Sequence, residues 1–333
     1  MHKTCYIIII LLLSLAVNSD FTKRLNITKL LLKSRNYCEN CTPHDGLNKN
    51  EASSSSSLTL LSNYTRFNYN DIKNLVTFGD SHTEVNTNFT DMSYLGHNFS
   101  GSKTWQIHLS DSHNMTLWSF ATSGAVINLN ITYRESFPID FLKQYDLFYE
   151  RMSLNKKYFD RWNSKDTLFA IYLGSNDIHE VNFLNNNKTV NENINGIIQS
   201  MFMKIEDIYK VGGRNFLILN ISPLDLAPIN AHQKHQYYEN LIPYFNDGIK
   251  DAAQKLFNNH NDINIIVYDT NTEFRFIINE YQKFGFLSGK KPWIFNKNKS
   301  RNDYFFYDNT HITGKGNKIL AEDINNLLLS LSQ

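Results

Sequence analysis

The chain has 333 residues, of which 41% are hydrophobic and 14% aromatic, so it is long and apolar enough to bury one large core. Lys and Arg number 33 against 32 Asp and Glu, a net charge of +1. This balance argues against a nucleic-acid binder, which needs a basic surface to displace counterions, and against a polybasic protein of the membrane surface. Asparagine is unusually frequent, with 44 residues.

The first 19 residues have the pattern of a secretory signal peptide. An apolar run from Tyr6 to Val17 follows a short charged start, and the small residues Val17 and Ser19 lie at −3 and −1 of a cleavage point before Asp20. The run has 12 residues, fewer than the roughly 20 that a membrane-spanning helix needs. The alternative is an uncleaved signal anchor. We therefore expect residues 1–19 to be removed and the mature protein to be secreted, without a membrane span.

Secretion would give the asparagines a first role, because Asn-X-Ser/Thr accepts a glycan in the secretory pathway. Many such sequons arise by chance in a chain this rich in Asn. Three of the ten, at Asn114, Asn130 and Asn220, flank predicted strands, and there we expect no glycan. The other seven are possible glycosylation sites: Asn26, Asn40, Asn63, Asn88, Asn98, Asn187 and Asn298.

Residues 20–71 lack sustained periodicity and contain the serine run Ser53 to Ser57, which indicates a low-complexity N-terminal tail or linker. The cysteines of this segment, Cys38 and Cys41, are spaced as Cys-x-x-Cys. In a secreted chain, a local disulfide is the first interpretation. A zinc site would need two further ligands, and only His44 is near.

From residue 72 to residue 333, short apolar runs alternate with helical patterns. Runs that are apolar at every position are typical of parallel strands covered on both faces. Helical periodicity extends over Val190–Val211, which Gly212 is placed to end, and over Tyr237–Asn258. This order predicts an α/β domain over 72–333, a three-layer α/β/α sandwich with a five-stranded, mostly parallel, flavodoxin-like sheet. The five predicted strands lie in the runs 75–78, 115–121, 167–174, 215–222 and 263–269.

Polar blocks follow three of these runs, and a fourth block lies near the C-terminus. In an open parallel sheet, ligands bind beyond the carboxyl ends of the strands, which is where these blocks fall. Together they supply a hydroxyl, a base, a carboxylate and oxyanion donors, the groups that a serine esterase requires. The blocks are Gly79-Asp80-Ser81-His82, Ser123-Gly124-Ala125, Gly174-Ser175-Asn176-Asp177 and Asp308-Asn309-Thr310-His311.

In this order and spacing, the four blocks resemble those of the SGNH hydrolase superfamily, the GDSL-type esterases and lipases. The resemblance covers nearly all of the chain after the tail. The stretch GGRNFLILNISPLDLAP (212–228) and Trp105 are similar to plant and fungal members, which favours that secreted branch. The stretches that match the family blocks are FGDSHTEV (78–85), FATSGA (120–125), YLGSNDI (172–178) and YDNTHIT (307–313).

The resemblance implies a role for each block. Ser81 would be the nucleophile, His311 the general base, and Asp308 the carboxylate that orients the base. The oxyanion hole would be formed by the backbone N–H groups of Ser81 and Gly124 and by the side-chain amide of Asn176. This chemistry requires no cofactor and no metal.

Some neighbouring residues depart from the family pattern or have two interpretations. Glu84 stands where the family often has Asp, so the loop geometry there is expected to differ slightly. His82, next to the predicted nucleophile, is expected to point away from it. In the family, Asp80 and Asp177 organise loops rather than react. His179–Glu180 either lines the cleft or begins a solvated helix.

The resemblance implies two-step acyl transfer on an ester. No apolar lid or long interfacial helix is evident, whereas the loops are rich in Tyr, Trp and Asn, which suit sugar rings and hydroxyls. We therefore predict a secreted, monomeric serine esterase that acts on short-chain, acetyl esters of plant-type polysaccharides or oligosaccharides and has no nucleic-acid partner. The alternatives are a GDSL lipase or phospholipase and a catalytically silent, secreted glycan-binding protein.

Overall fold

The computed structural model describes residues 56–231 and 236–332. The predicted signal peptide lies outside these ranges, as do four residues that the sequence singled out: Cys38, Cys41, Asn26 and Asn40.

A six-stranded sheet forms the centre of the described chain, with the strand order β1-β6-β5-β4-β2-β3. All neighbouring strands are parallel except β1 and β6. The five parallel strands have the flavodoxin-like order, in which the chain reverses direction across the sheet between β2 and β4. The strands are β1 Leu58–Leu60, β2 Asn74–Gly79, β3 Thr116–Ser119, β4 Thr167–Tyr172, β5 Asn215–Leu219 and β6 Asn264–Tyr268.

The sixth strand corrects two expectations. β1 pairs antiparallel with β6, with Leu58 opposite Val267, so the sheet has six strands rather than five. The fold also begins before residue 72, because Phe67 and Tyr69, within the predicted tail, are buried in the core. A strand of three residues directly after a serine run is too short to produce a recognisable period, which is why the tail prediction extended through it.

Helices cover both faces of the sheet, which confirms the three-layer sandwich. Alternate residues of β2 point to opposite faces: Val76 and Phe78 pack with α2, α4 and α5, and Leu75 packs with α1, α6 and α7. Each of the five predicted apolar runs overlaps one of the five parallel strands. Each strand is covered by helices on both faces and is therefore apolar on both faces. The helices are α1 Trp105–His113, α2 Phe141–Met152, α3 Ser175–Glu180, α4 Val190–Val211, α5 Gln236–Asn259, α6 Thr270–Asn279 and α7 Gly314–Ser330.

The limits of α4 agree with the prediction. Thr189 and Glu192 form a capping box at its start, and Gly212 follows its end with φ +124°. The other predicted helix, α5, extends one residue further at each end than the sequence pattern indicated. None of the helices in the described part of the chain is long and apolar enough to cross a membrane.

Candidate active site

The predicted blocks meet at the carboxyl ends of β2 and β4, where the strand order reverses. These strands are adjacent, with Gly79 opposite Tyr172 at their ends. Ser81 follows β2 by two residues, and Asn176 lies in α3 just after β4. The loop that precedes α7 brings His311 to the same edge.

A tight turn holds Ser81. The backbone N–H groups of Thr83 and Glu84 donate to the Asp80 carbonyl at 3.0 and 2.9 Å. The buried indole of Trp105 donates to Thr83 Oγ1 at 3.2 Å. Before the turn, the amide of Gln144 pairs with both the N–H and the carbonyl of Gly79, at 3.0 and 2.9 Å. The nucleophile position is therefore fixed from both sides of the sheet.

Ser81, His311 and Asp308 lie in line. Ser81 Oγ is 2.8 Å from His311 Nε2, and His311 Nδ1 is 2.9 Å from Asp308 Oδ2. Asp308 Oδ1 also accepts the backbone N–H groups of Thr310 and His311 at 2.8 and 2.7 Å. The imidazole thus joins a hydroxyl to an anchored carboxylate, the arrangement that allows it to take a proton from the serine.

Electrostatics keep Asp308 ionised. Burial alone raises the pKa of this carboxyl, but the hydrogen bond and charge of His311 and the two backbone N–H groups outweigh it and hold the pKa below its usual value. An ionised Asp308 favours the proton on Nδ1 of His311. Nε2 then presents its lone pair to Ser81.

Gly124 and Asn176 lie beside this line. Gly124 has φ +72°, and a Cβ there would overlap the Phe137 ring, so only glycine fits. The Asn176 amide donates to the carbonyl of Ala125, next to Gly124, at 2.9 Å. Among the hydrogen bonds of the described residues, none has the backbone N–H of Ser81 or Gly124 as donor. Those two groups are free to face a bound oxygen.

Two contacts that the sequence did not predict support the Gly124 loop. Arg134 Nη1 donates to the Gly124 carbonyl at 2.7 Å, and Arg134 Nε lies 3.5 Å from Glu180 Oε1. Glu180 thus reaches the Gly124 loop through Arg134, whereas His179 Nδ1 lies 3.1 Å from the hydroxyl of Tyr238. No local signal could have found Arg134, because a single arginine in an irregular loop has no recognisable pattern.

Glu84, the departure from the family pattern, lies near the second block. Burial raises the pKa of its carboxyl above the usual value, and the nearby backbone N–H of Ser123 offsets part of this rise. Glu84 also lines a cavity of about 480 Å³, together with Asn86, Asn88, Tyr94 and Thr122.

His82 is buried beside the site. Its ring centroid lies 5.4 Å from that of His311 and 5.6 Å from that of Tyr172. Burial, and then the neighbouring His311, lower the pKa of His82 to about 3, so its ring is neutral at all physiological pH values. The imidazole that contacts Ser81 Oγ is that of His311, as expected.

Asp80 and Asp177 are buried and hold loops, as the family pattern implies. Both oxygens of Asp177 lie 3.1 Å from the backbone N–H of Ile127, and the Thr132 hydroxyl donates to Oδ1 at 3.3 Å. Asp80 Oδ1 accepts the backbone N–H of His82 at 2.9 Å. Burial raises the pKa of Asp80 to about 6 and that of Asp177 to about 7.

The raised pKa of Asp177 predicts a pH-dependent stability. Between the ordinary aspartate pKa near 4 and about 7, the folded protein retains a proton that the unfolded chain has released. The free energy of unfolding therefore falls as the pH rises through this window. In Asp177→Asn we expect the contribution of this carboxyl to be absent. The slope of the free energy of unfolding against pH should therefore change by up to about 1.4 kcal/mol per pH unit.

Urea unfolding of the wild type and of Asp177→Asn at several pH values between 4.5 and 7.5 measures this difference. Asp160→Asn, which removes an exposed carboxyl, is the matched control. Parallel slopes for the wild type and Asp177→Asn would show that the Asp177 carboxyl is ionised throughout this range.

Asn98 and Phe99, which the sequence singled out only as part of a sequon, also reach the site. Asn98 Nδ2 donates to the carbonyl of Ser81 at 2.8 Å. The Phe99 ring stacks on His311 with 5.2 Å between centroids. Within the described residues, no cluster of His, Cys, Asp and Glu could hold a metal ion.

Residues 75–324 match the family model described as GDSL-like Lipase/Acylhydrolase. An acetylesterase from Thermothelomyces thermophilus is 24% identical over 64% of this chain and 76% of its own length. GDSL esterase/lipase 3 from Arabidopsis thaliana is 25% identical over 46% of this chain and 51% of its own length, so the match spans about half of that relative. An acetylxylan esterase structure from Geobacillus stearothermophilus has a TM-score of 0.41 at 12% identity, over 77% of this chain and 94% of its own. The family model matches most of the chain, which therefore belongs to the GDSL-like lipase/acylhydrolase family and is a hydrolase of ester bonds.

Proposed function

We propose that the protein is a serine esterase that works by two-step acyl transfer. The observation that carries the proposal is the continuous line from Ser81 Oγ through His311 to Asp308, with separations of 2.8 and 2.9 Å. Ser81 is the nucleophile, His311 the general base, and Asp308 the residue that fixes its tautomer and orientation.

In the first step, His311 Nε2 takes the Ser81 proton as Oγ attacks the ester carbonyl. His311 then gives this proton to the leaving alcohol, and the acyl group remains on Ser81. In the second step, His311 takes a proton from water, which attacks the acyl-enzyme, and returns it to Ser81 Oγ as the acid leaves. Asp308 remains ionised and stabilises the imidazolium that forms in each step.

The oxygen of each tetrahedral intermediate carries a developing negative charge. In our proposal, it is bound by the backbone N–H groups of Ser81 and Gly124 and by the Asn176 amide. The free N–H groups, the left-handed backbone at Gly124 and the anchoring of the Asn176 amide beside it support this assignment. Arg134 holds the Gly124 loop in place before substrate binds.

We propose acetyl esters of carbohydrates as the substrates. Three exposed aromatic side chains, Phe99, Tyr133 and Phe183, lie within three residues of groups that contact the site and could stack on sugar rings. The cavity of about 480 Å³ beside Glu84 is lined by amides and hydroxyls together with the apolar side chains of Phe89, Leu95 and Ala121, and it is large enough for a small-molecule group. The similarity to the acetylesterase from Thermothelomyces thermophilus over 76% of its length also supports acetyl esters as substrates.

Secretion belongs to the same proposal, with residues 1–19 as a cleaved leader. Four of the predicted glycosylation sites, Asn63, Asn88, Asn187 and Asn298, have exposed side chains. Asn220, expected to stay unmodified, is buried and donates to Asp269 Oδ1 at 2.9 Å. Asn114 and Asn130, which share that expectation, are exposed.

A panel of p-nitrophenyl acetate, butyrate and palmitate, with acetylated xylan beside it, tests the substrate proposal. If the proposal holds, we expect kcat/KM on the acetate to exceed that on the palmitate by about 100-fold, and we expect acetate release from the xylan. Ser81→Ala provides the background rate for each substrate.

The other outcomes point to the other functions. A preference for palmitate would identify a lipase and contradict the carbohydrate assignment. No turnover of any ester, together with binding of the wild type to xylan, would identify a silent glycan-binding protein.

A further inference from the structure

Asn98 contacts the turn that carries Ser81. The contacting atom is its side-chain nitrogen, to which a glycan would be attached. Its Nδ2 donates to the Ser81 carbonyl at 2.8 Å, and its Oδ1 accepts the backbone N–H and the hydroxyl of Ser100 at 2.8 and 2.6 Å. Both ends of the amide are therefore engaged, and the side chain is half-buried. A sugar on Nδ2 would occupy the space next to the nucleophile turn.

Phe99, the next residue, covers one face of the base. Its ring lies 5.2 Å from the His311 ring at an angle of 18°, a stacked arrangement, although 48% of Phe99 is exposed. The remaining half of the ring is buried, and one of its faces lies against the imidazole. The stack restricts rotation of the imidazole about its bond to Cβ and therefore fixes the direction of Nε2.

The chain after Phe99 is attached to a third loop. Arg301 Nη1 donates to the Gly101 carbonyl at 2.8 Å, and Gly101 has φ +61°, a backbone conformation that suits glycine. Asn98 and Phe99 thus lie on a short segment that is fixed at both ends. One residue of the segment holds the turn of Ser81, and the next holds the ring of His311.

We propose that Asn98 and Phe99 are positioning residues of the esterase site: Asn98 fixes the turn that carries Ser81, Phe99 fixes the imidazole plane of His311, and the Asn98 sequon remains unmodified in the active protein. The inference rests on the proposed function, because it assigns to these residues the alignment of the nucleophile with its base. It gives Asn98 a different role from the other sequons.

Asn98→Asp tests the first half. It keeps the acceptor for Ser100 but removes the donor to Ser81, and we expect kcat on p-nitrophenyl acetate to fall about 10–100-fold with KM within threefold. Ser100→Ala destroys the same sequon but leaves the Asn98 donor to Ser81 and the backbone N–H of Ser100 on Asn98 Oδ1, so its kcat should fall less than that of Asn98→Asp. Asn63→Asp makes the same change at an exposed sequon and should leave activity unchanged. Equal losses in Asn98→Asp and Ser100→Ala, or none in Asn98→Asp, would overturn the assignment.

Phe99→Leu and Phe99→Tyr test the second half. Leucine keeps an apolar side chain but loses the stacked ring, and we expect a roughly 10-fold slower reaction of Ser81 with diisopropyl fluorophosphate, whereas tyrosine should restore the wild-type rate. Thermal unfolding midpoints close to that of the wild type would separate positioning from a general loss of structure. The same rate in Phe99→Leu as in the wild type would refute the role of the ring.

Modification and function can be checked separately. Mass spectrometry of active protein from a glycosylating host should find Asn98 unmodified, and an active protein fully occupied at Asn98 would overturn the proposal. If the wild type hydrolyses no ester, the proposed function fails. If the wild type is active, Ser81→Ala is inactive and the Asn98 and Phe99 variants behave as the wild type, only the present inference fails.

Discussion

Replacement of Ser81 by alanine is expected to lower kcat on p-nitrophenyl acetate by about 10⁴-fold or more, because it removes the hydroxyl oxygen that lies 2.8 Å from His311 Nε2, the nucleophile of our proposal. The protein should remain folded, since the turn is held by backbone bonds to Asp80 rather than by the serine hydroxyl. Steady-state kinetics and circular dichroism measure the two effects.

Ser330→Ala, which removes an exposed serine at the end of α7, is the matched control and should retain full activity. The double variant Ser81→Ala/His311→Ala should be no slower than the single variants by more than a small factor, since the two groups act as a unit. Activity of Ser81→Ala within tenfold of the wild type would exclude Ser81 as the nucleophile.

Replacement of Asn176 by alanine is expected to lower kcat by about 10²–10³-fold with little change in KM, the usual cost of one oxyanion donor. The amide is held beside Gly124 by its bond to the Ala125 carbonyl, so its position is fixed before the charge develops. The loss should fall on kcat because the donor acts on the tetrahedral intermediate rather than on the bound ester.

Asn176→Asp separates the donor from the shape of the side chain. The carboxylate has the same size but offers no N–H, so its loss of kcat should be at least as large as that of the alanine variant. Asn185→Ala, at an exposed position, is the control. An aspartate variant as active as the wild type would remove Asn176 from the oxyanion hole.

The sequence predicted the parallel strands and the four blocks for a physical reason. A strand covered by helices on both faces must be apolar at every position, and the residues that follow it must meet at one edge of the sheet. The predicted runs around β2 and β4 therefore also placed Ser81 and Asn176. The contact of His311 with Ser81 joins residues 230 positions apart, and only the resemblance to the family predicted it.

The residues that the sequence missed act through contacts that have no local pattern. Arg134 reaches the Gly124 carbonyl from an irregular loop. Asn98 was assigned to glycosylation because its sequon is visible in the sequence, whereas its bond to Ser81 depends on how two loops approach each other. The edge strand β1 was missed because three residues are too few to establish a period.

The short edge strands have a consequence for the behaviour of the protein at high concentration. The inner strands of the sheet have five or six residues and are buried throughout, so an uncovered one would offer a long apolar template to another chain. The two edges are β1, with three residues, and β3, with four. Edges this short offer few backbone groups for pairing between molecules. Within the described residues, β1 covers the backbone edge of β6, and we expect this to reduce association between molecules through the sheet.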